Sequence, residues 1–172
     1  SGRLSTFSVN SGKWYWEFHP TSVSEVDFYQ SFGVVRDDTN AGSQTIQLAS
    51  GAIGYDANSQ LQVDGSNTAA WGATYYDVDT PIMGVALDLD SATNTIKFYK
   101  NNSLQGTVNL TANTLGAGGR VTPFFSGYQN YWSANFGQDS SFAGLETAQG
   151  NADGNGYGDF YYTPPSGYVA LC

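Results

Sequence analysis

Between residues 13 and 18 apolar and polar positions alternate, with Trp14, Trp16 and Phe18 on one face and Lys13, Tyr15 and Glu17 on the other. That period of two predicts a half-buried β-strand. Residues 28–35 repeat the pattern, and 52–55 and 60–63 flank Asp56-Ala-Asn58-Ser59 as the arms of a hairpin. Residues 82–89 form a nearly unbroken apolar run, the signature of a strand covered on both faces. Between 95 and 108, Ile96 and Phe98 alternate with polar neighbours until Asn101-Asn102, a pair suited to a two-residue turn that requires positive φ. Two further strands are predicted at 120–126 and 132–136. No stretch carries a long apolar pattern at helical spacing.

Loops rich in Gly, Asn, Ser and Thr separate these strands at 37–51, 64–80, 109–119 and 127–131. Many short strands at such spacing predict an all-β sandwich or barrel. Its expected core includes Trp14, Trp16, Ile96, Phe98, Phe124 and Phe136, buried between two sheets. Residues 138–158 read as a Gly/Asn-rich excursion with few apolar residues beyond Phe142 and Leu145. Residues 159–172 read as a terminal strand pair, 160–162 and 168–171, around the turn at Pro164-Pro165. The 172 residues fit one domain, 1–172, with its core at about 5–137.

Composition narrows the function. Fifteen acids against six bases give a formal charge of −9, which repels phosphate backbones and anionic membrane surfaces, so no nucleic acid and no membrane partner is expected. No apolar run approaches the roughly 18 residues of a membrane span, and no charged-then-apolar leader opens the sequence. Cys172 is the only cysteine, which leaves no intrachain disulfide and no cysteine-based zinc site. Because the ending reads as a strand cut at its edge, the chain is expected to be part of a larger protein or assembly. The compartment is not readable from one thiol.

Taken in order, Ser11-Gly-Lys-Trp-Tyr-Trp-Glu-Phe18, Ile53-Gly-Tyr55, Ile82-Met-Gly-Val-Ala-Leu-Asp88, Ile96-Lys-Phe-Tyr-Lys-Asn-Asn102 and Val121-Thr-Pro-Phe-Phe125 through Ala134-Asn-Phe-Gly137 resemble the SPRY domain family. The resemblance spans roughly residues 5–137. It implies an all-β, two-sheet antiparallel β-sandwich of the concanavalin-like type that acts as a non-catalytic interaction module, with ligands docking on loops at one rim. The resemblance does not extend to the segment that precedes the domain in animal members, so the extended groove which that segment helps to build is not expected. Its tail, Gly156-Tyr-Gly-Asp-Phe-Tyr-Tyr-Thr-Pro-Pro-Ser-Gly-Tyr-Val-Ala-Leu-Cys172, resembles those of SPRY-containing proteins of bacteriophages and their hosts, which implies a virion-associated or host-interaction protein. By position, the resemblance places Tyr128, Gln129 and Asn130 on a rim loop.

Three constellations bear on chemistry. Glu25-Val-Asp27-Phe-Tyr-Gln30 is similar to the carboxylate run of concanavalin-like glycosidases, whose retaining members need two carboxyl groups about 5 Å apart. Tyr29 or Gln30 stands where the third acid belongs, so a solvated strand entrance is the expected reading. His19, the only histidine, has no nucleophile elbow to serve. Asn151, Asp153, Asn155 and Asp159 fall at positions 1, 3, 5 and 9 of a calcium-loop spacing, with Gly156 at position 6, but Tyr162 replaces the bidentate Glu at position 12. A plain loop and no cofactor are expected, with calcium as the alternative.

The remaining signal is aromatic. Trp71, Tyr75, Tyr76, Tyr128 and Tyr131 lie in loops, where Tyr and Trp supply rigid contact area at little entropic cost. With Gln129 and Asn130 they form the expected ligand surface, edged by Asp77 and Asp79. The sequence therefore predicts no enzyme but a recognition module for a protein or glycan. The alternatives are a decorating virion domain without a discrete ligand and a glycoside hydrolase.

Overall fold

The computed structural model describes residues 2–20, 30–39, 49–75, 80–115, 119–127 and 131–171. In chain order the strands are β1 (Gly2–Leu4), β2 (Lys13–Pro20), β3 (Ser31–Arg36), β4 (Ala52–Asp56), β5 (Leu61–Val63) and β6 (Ser66–Thr68). There follow β7 (Met83–Asp88), β8 (Thr95–Lys100), β9 (Ser103–Asn109), β10 (Val121–Ser126), β11 (Trp132–Asn135) and β12 (Val169–Ala170). A single helical turn, α1 (Ala112–Leu115), precedes β10. The chain divides into two compact units, each built on one sheet and each assembled from three separate stretches of sequence.

The first unit takes Ser1–Asn10, Val23–Asp79 and Leu110–Asn130, and its antiparallel sheet runs β1-β10-β3-β4-β5-β6. Register sets its two faces. Phe124, Val35 and Ala52 form a buried cluster on one, with Leu4 and Ala49 against it. Phe32, Val34, Ile53 and Tyr55, at the intervening positions, are buried as well. Gly33 sits opposite Gly54 in the pairing of β3 with β4. A β-carbon on Gly33 would lie 2.0 Å from the Ile53 carbonyl oxygen, so the absence of a side chain is what lets these strands pair.

The second unit takes Ser11–Ser22, Thr80–Asn109 and Tyr131–Cys172. Its sheet runs β11-β2-β7-β8-β9, and β12 adds to β2 in parallel. The β8–β9 hairpin turns at Asn101 and Asn102, whose φ angles of 46° and 63° are those of the primed turn the dipeptide predicts. Every residue of β7 is buried, as its apolar run predicts. Trp16, Ile96, Phe98 and Phe124 are fully buried. Trp14 and Phe136 depart from the expected core by remaining half-buried. Trp14 folds back on the turn before it, donating from Nε1 to the Ser11 carbonyl at 2.6 Å and covering Gly12, whose φ is +95°.

The face of β2 that reads as polar is also covered. Tyr15 is buried with Ala86, Phe160, Tyr168 and Ala170, which brings residues far along the chain onto this side of the sheet. Glu17 is completely inaccessible beside them. Its Oε1 accepts from Tyr15 Oη at 3.1 Å and the Tyr162 amide at 2.8 Å, and its Oε2 accepts from the Tyr161 amide at 2.9 Å and Asn135 Nδ2 at 3.3 Å. Burial pushes its carboxyl above the usual range, although the Tyr162 and Tyr161 amides pull the other way. The predicted terminal strand pair takes another form: β12 pairs with Trp14 and Tyr15, and Phe160 pairs with Asn151. At the rim of the same face Lys13 Nζ lies 2.9 Å from Asp88 Oδ2. Burial alone would raise Asp88, but Lys13, Ser91 and the amides of Ser91 and Asp90 hold it at about 2.

Candidate binding surface

One end of the first sheet gathers the feet of two loops. Ser126, the last residue of β10, pairs with Ser31, the first of β3, and Ser31 pairs with Asp56, the last of β4. The 127–131 loop therefore starts beside Ser31. The long loop after β6 comes to the same end, because Trp71 donates its amide to the Ser59 carbonyl at 2.8 Å and Tyr75 donates its amide to Ala57 at 3.1 Å. Tyr75 is a core residue rather than an exposed one, which corrects its place in the expected ligand surface. Its hydroxyl donates to the carbonyls of Gln30 at 2.9 Å and Tyr55 at 3.1 Å, and its ring packs on Phe32 and Tyr55. Trp71 is half-buried, edge-on to Tyr55 at 5.4 Å, and the Tyr55 hydroxyl donates to the Ala73 carbonyl.

A polar network underlies this end, although in sequence Asp56 reads only as part of a hairpin turn. Asp56 Oδ1 accepts the amides of Asn58 and Gln60 at 3.0 and 2.8 Å. Its Oδ2 accepts from Gln62 Nε2 at 3.3 Å, and Gln62 Oε1 accepts from Ser31 Oγ at 3.0 Å. Burial pushes the Asp56 carboxyl up to about 6, against the pull of the Gln60 and Asn58 amides. A raised acid favours the fold while protonated, so its contribution is complete below the ordinary value of about 4 and is lost as pH rises through about 6. The stability difference between wild type and Asp56→Asn, followed by urea unfolding, is thus expected to shrink from pH 4 to pH 7. A flat or growing difference would contradict it.

Of the other expected ligand residues, Tyr131 is 76% exposed and belongs to the second unit. Tyr76, Tyr128, Gln129 and Asn130 lie outside the described residues, as do Asp77, Asp79, Glu25 and Asp27. His19 is buried, with its ring 5.2 Å from Phe142 and Nε2 3.4 Å from Glu146 Oε1. Burial lowers its pKa, against the pull of Glu146.

The calcium-like spacing folds into a tight loop closed by backbone pairing of Asn151 with Phe160. Asp153 is buried and accepts three backbone N–H bonds, from Asn155, Tyr157 and Ala170. The Asn151 side chain donates to the Tyr161 carbonyl at 2.8 Å and accepts from Thr163 Oγ1 at 3.1 Å. Asn155 is exposed at the tip, and Asp159 lies by the Gly137 carbonyl, to which its amide donates at 2.8 Å. Among the described residues no three His, Cys, Asp or Glu side chains come together as a metal-binding group.

No protein-family model and no curated protein matches the chain. Among solved structures it is similar to the SPRY domain of human HERC1, with a TM-score of 0.53 and 19% identity over 72% of each chain. At that identity the likeness speaks for the fold alone. The fold is an all-β, two-sheet antiparallel sandwich of the SPRY type.

Proposed function

We propose that the chain is a non-catalytic recognition module that binds a protein or glycan through the two loops at the Ser126–Ser31–Asp56 end of its first sheet. The observation that carries this reading is the shared origin of the loops. Tyr75 ties one to Gln30, and β10 delivers the other beside Ser31, the next residue along. A rigid sheet from which both loops spring is the usual platform for recognition. Trp71, Tyr76 and Tyr128 supply the bulky rings, with Gln129 and Asn130 as polar contacts. Asp77 and Asp79, in a chain of net charge −9, suit a partner face that is neutral or basic.

A non-catalytic role is supported by how the carboxylates are used. Glu17, Asp56 and Asp153 are each buried and engaged by several N–H or O–H donors, which leaves them set as structural acceptors. A place in a phage virion or host-interaction protein rests on the tail resemblance. Selection of binders from a random peptide display library tests the surface. Peptides enriched on wild type are expected to lose about 1–2 kcal/mol for each of Tyr76→Ala and Tyr128→Ala, with little change in melting temperature. Binders that ignore the double variant, or none at all from peptide and glycan libraries alike, would overturn the reading.

A further inference from the structure

The segment 151–160 forms a closed finger in the second unit. Asn151 and Phe160 exchange both backbone hydrogen bonds, at 3.0 and 2.7 Å, to make its neck. Phe160 roots it, fully buried with its ring edge-on to Tyr15 at 5.2 Å. Asp153 braces the tip from within. Its Oδ1 accepts the Asn155 and Tyr157 amides at 2.8 and 3.0 Å, and its Oδ2 accepts the Ala170 amide at 2.9 Å. Its own amide donates to the Tyr157 carbonyl at 2.8 Å, and its carbonyl accepts the Gly156 amide at 3.0 Å. Residues 154–157 are exposed, and Tyr157 is 69% exposed. Gly156 and Gly158 flank it with φ of +81° and +86°.

We propose that this finger is a carbohydrate-contact site, where Tyr157 stacks on the C–H face of a neutral saccharide and the Asn155 amide hydrogen-bonds its hydroxyls. A two-residue turn suffices to reverse a chain at such a neck. Here a longer loop is held on a buried carboxylate, and the side chain it presents is an exposed ring. That bracing removes most of the ordering cost a flexible loop would incur on binding. Glycine on either side of Tyr157 adds no side chain to screen the ring. Four exposed tip residues are too few for a folded partner, which needs about 800 Å² per side, but they match one or two sugar rings. The one acid at the tip, Asp153, is turned inward, and the chain's charge of −9 disfavours anionic sugars.

The test is an immobilised array of cellohexaose, maltohexaose, mannohexaose and chitohexaose beside sialylated and sulfated glycans, followed by calorimetric titration of any soluble hexasaccharide that binds. At least one neutral oligosaccharide is expected to bind the full chain. Tyr157→Ala should weaken it about tenfold, roughly 1.4 kcal/mol, Tyr157→Trp should preserve it, and Asn155→Ala should weaken it by a smaller factor. Melting temperatures should stay at the wild-type value, because both side chains are exposed. No binding to the array, binding indifferent to Tyr157→Ala, or preference for the anionic set would overturn the proposal. Tyr76→Ala with Tyr128→Ala should leave this binding intact, so the two surfaces stand or fall separately.

Discussion

Glu17→Ala is expected to destabilise the protein by about 3–5 kcal/mol, far beyond the typical single substitution. The carboxylate holds four donors: the amides of Tyr161 and Tyr162, Asn135 Nδ2 and the Tyr15 hydroxyl. Each buried donor left without an acceptor costs about 1–3 kcal/mol, and partial relaxation keeps the total below their sum. Glu17→Gln keeps one acceptor oxygen but turns an amide N–H toward donors, so an intermediate loss is expected. Urea unfolding measures both. A loss under about 1 kcal/mol for Glu17→Ala would mean that the 160–162 segment is not held by this residue.

Gly33→Ala should be comparably severe for a steric reason. The added methyl would stand 2.0 Å from the Ile53 carbonyl oxygen and 3.0 Å from the Gly54 Cα, both backbone atoms of the paired strand. No rotamer change can relieve such a contact, so β3 and β4 must separate where Phe32, Val34 and Ile53 are fully buried. Overpacking of a well-filled core costs about 1–3 kcal/mol, and a backbone collision falls at or above the top of that range. The expected result is a loss of about 3 kcal/mol or more, with weakened amide protection in β3 and β4. Wild-type stability in the variant would contradict this close approach.

What the sequence makes legible is whatever rests on neighbours along the chain. The β8–β9 hairpin is readable because Asn101-Asn102 and the Ile96/Phe98 alternation are both local signals. Met83 to Asp88 is readable as a doubly covered strand because the apolar run needs no partner to be recognised. Tyr15 and Glu17 mislead because their cover, Phe160 to Ala170, lies some 145 residues on. A strand face that alternates correctly for solvent alternates equally well for a distant segment laid over it. Tyr75 misleads in the same way, since the carbonyl that receives its hydroxyl belongs to Gln30, 45 residues earlier. The calcium spacing of 151–159 is legible as a sharp loop, but spacing does not say that Asp153 turns inward to its own backbone.

The threading of each sheet from three distant stretches bears on how the molecule is made. On a ribosome β1 must wait for β10 and β2 must wait for β11 and β12, so neither sheet can close until most of the chain has emerged. Pairings so remote in sequence slow folding, because loop-closure entropy is spent before the contacts that repay it can form. During that wait the aromatic residues of β2 and β3 are uncovered, and nascent chains of this protein should depend on chaperones more than a helical domain of equal length would.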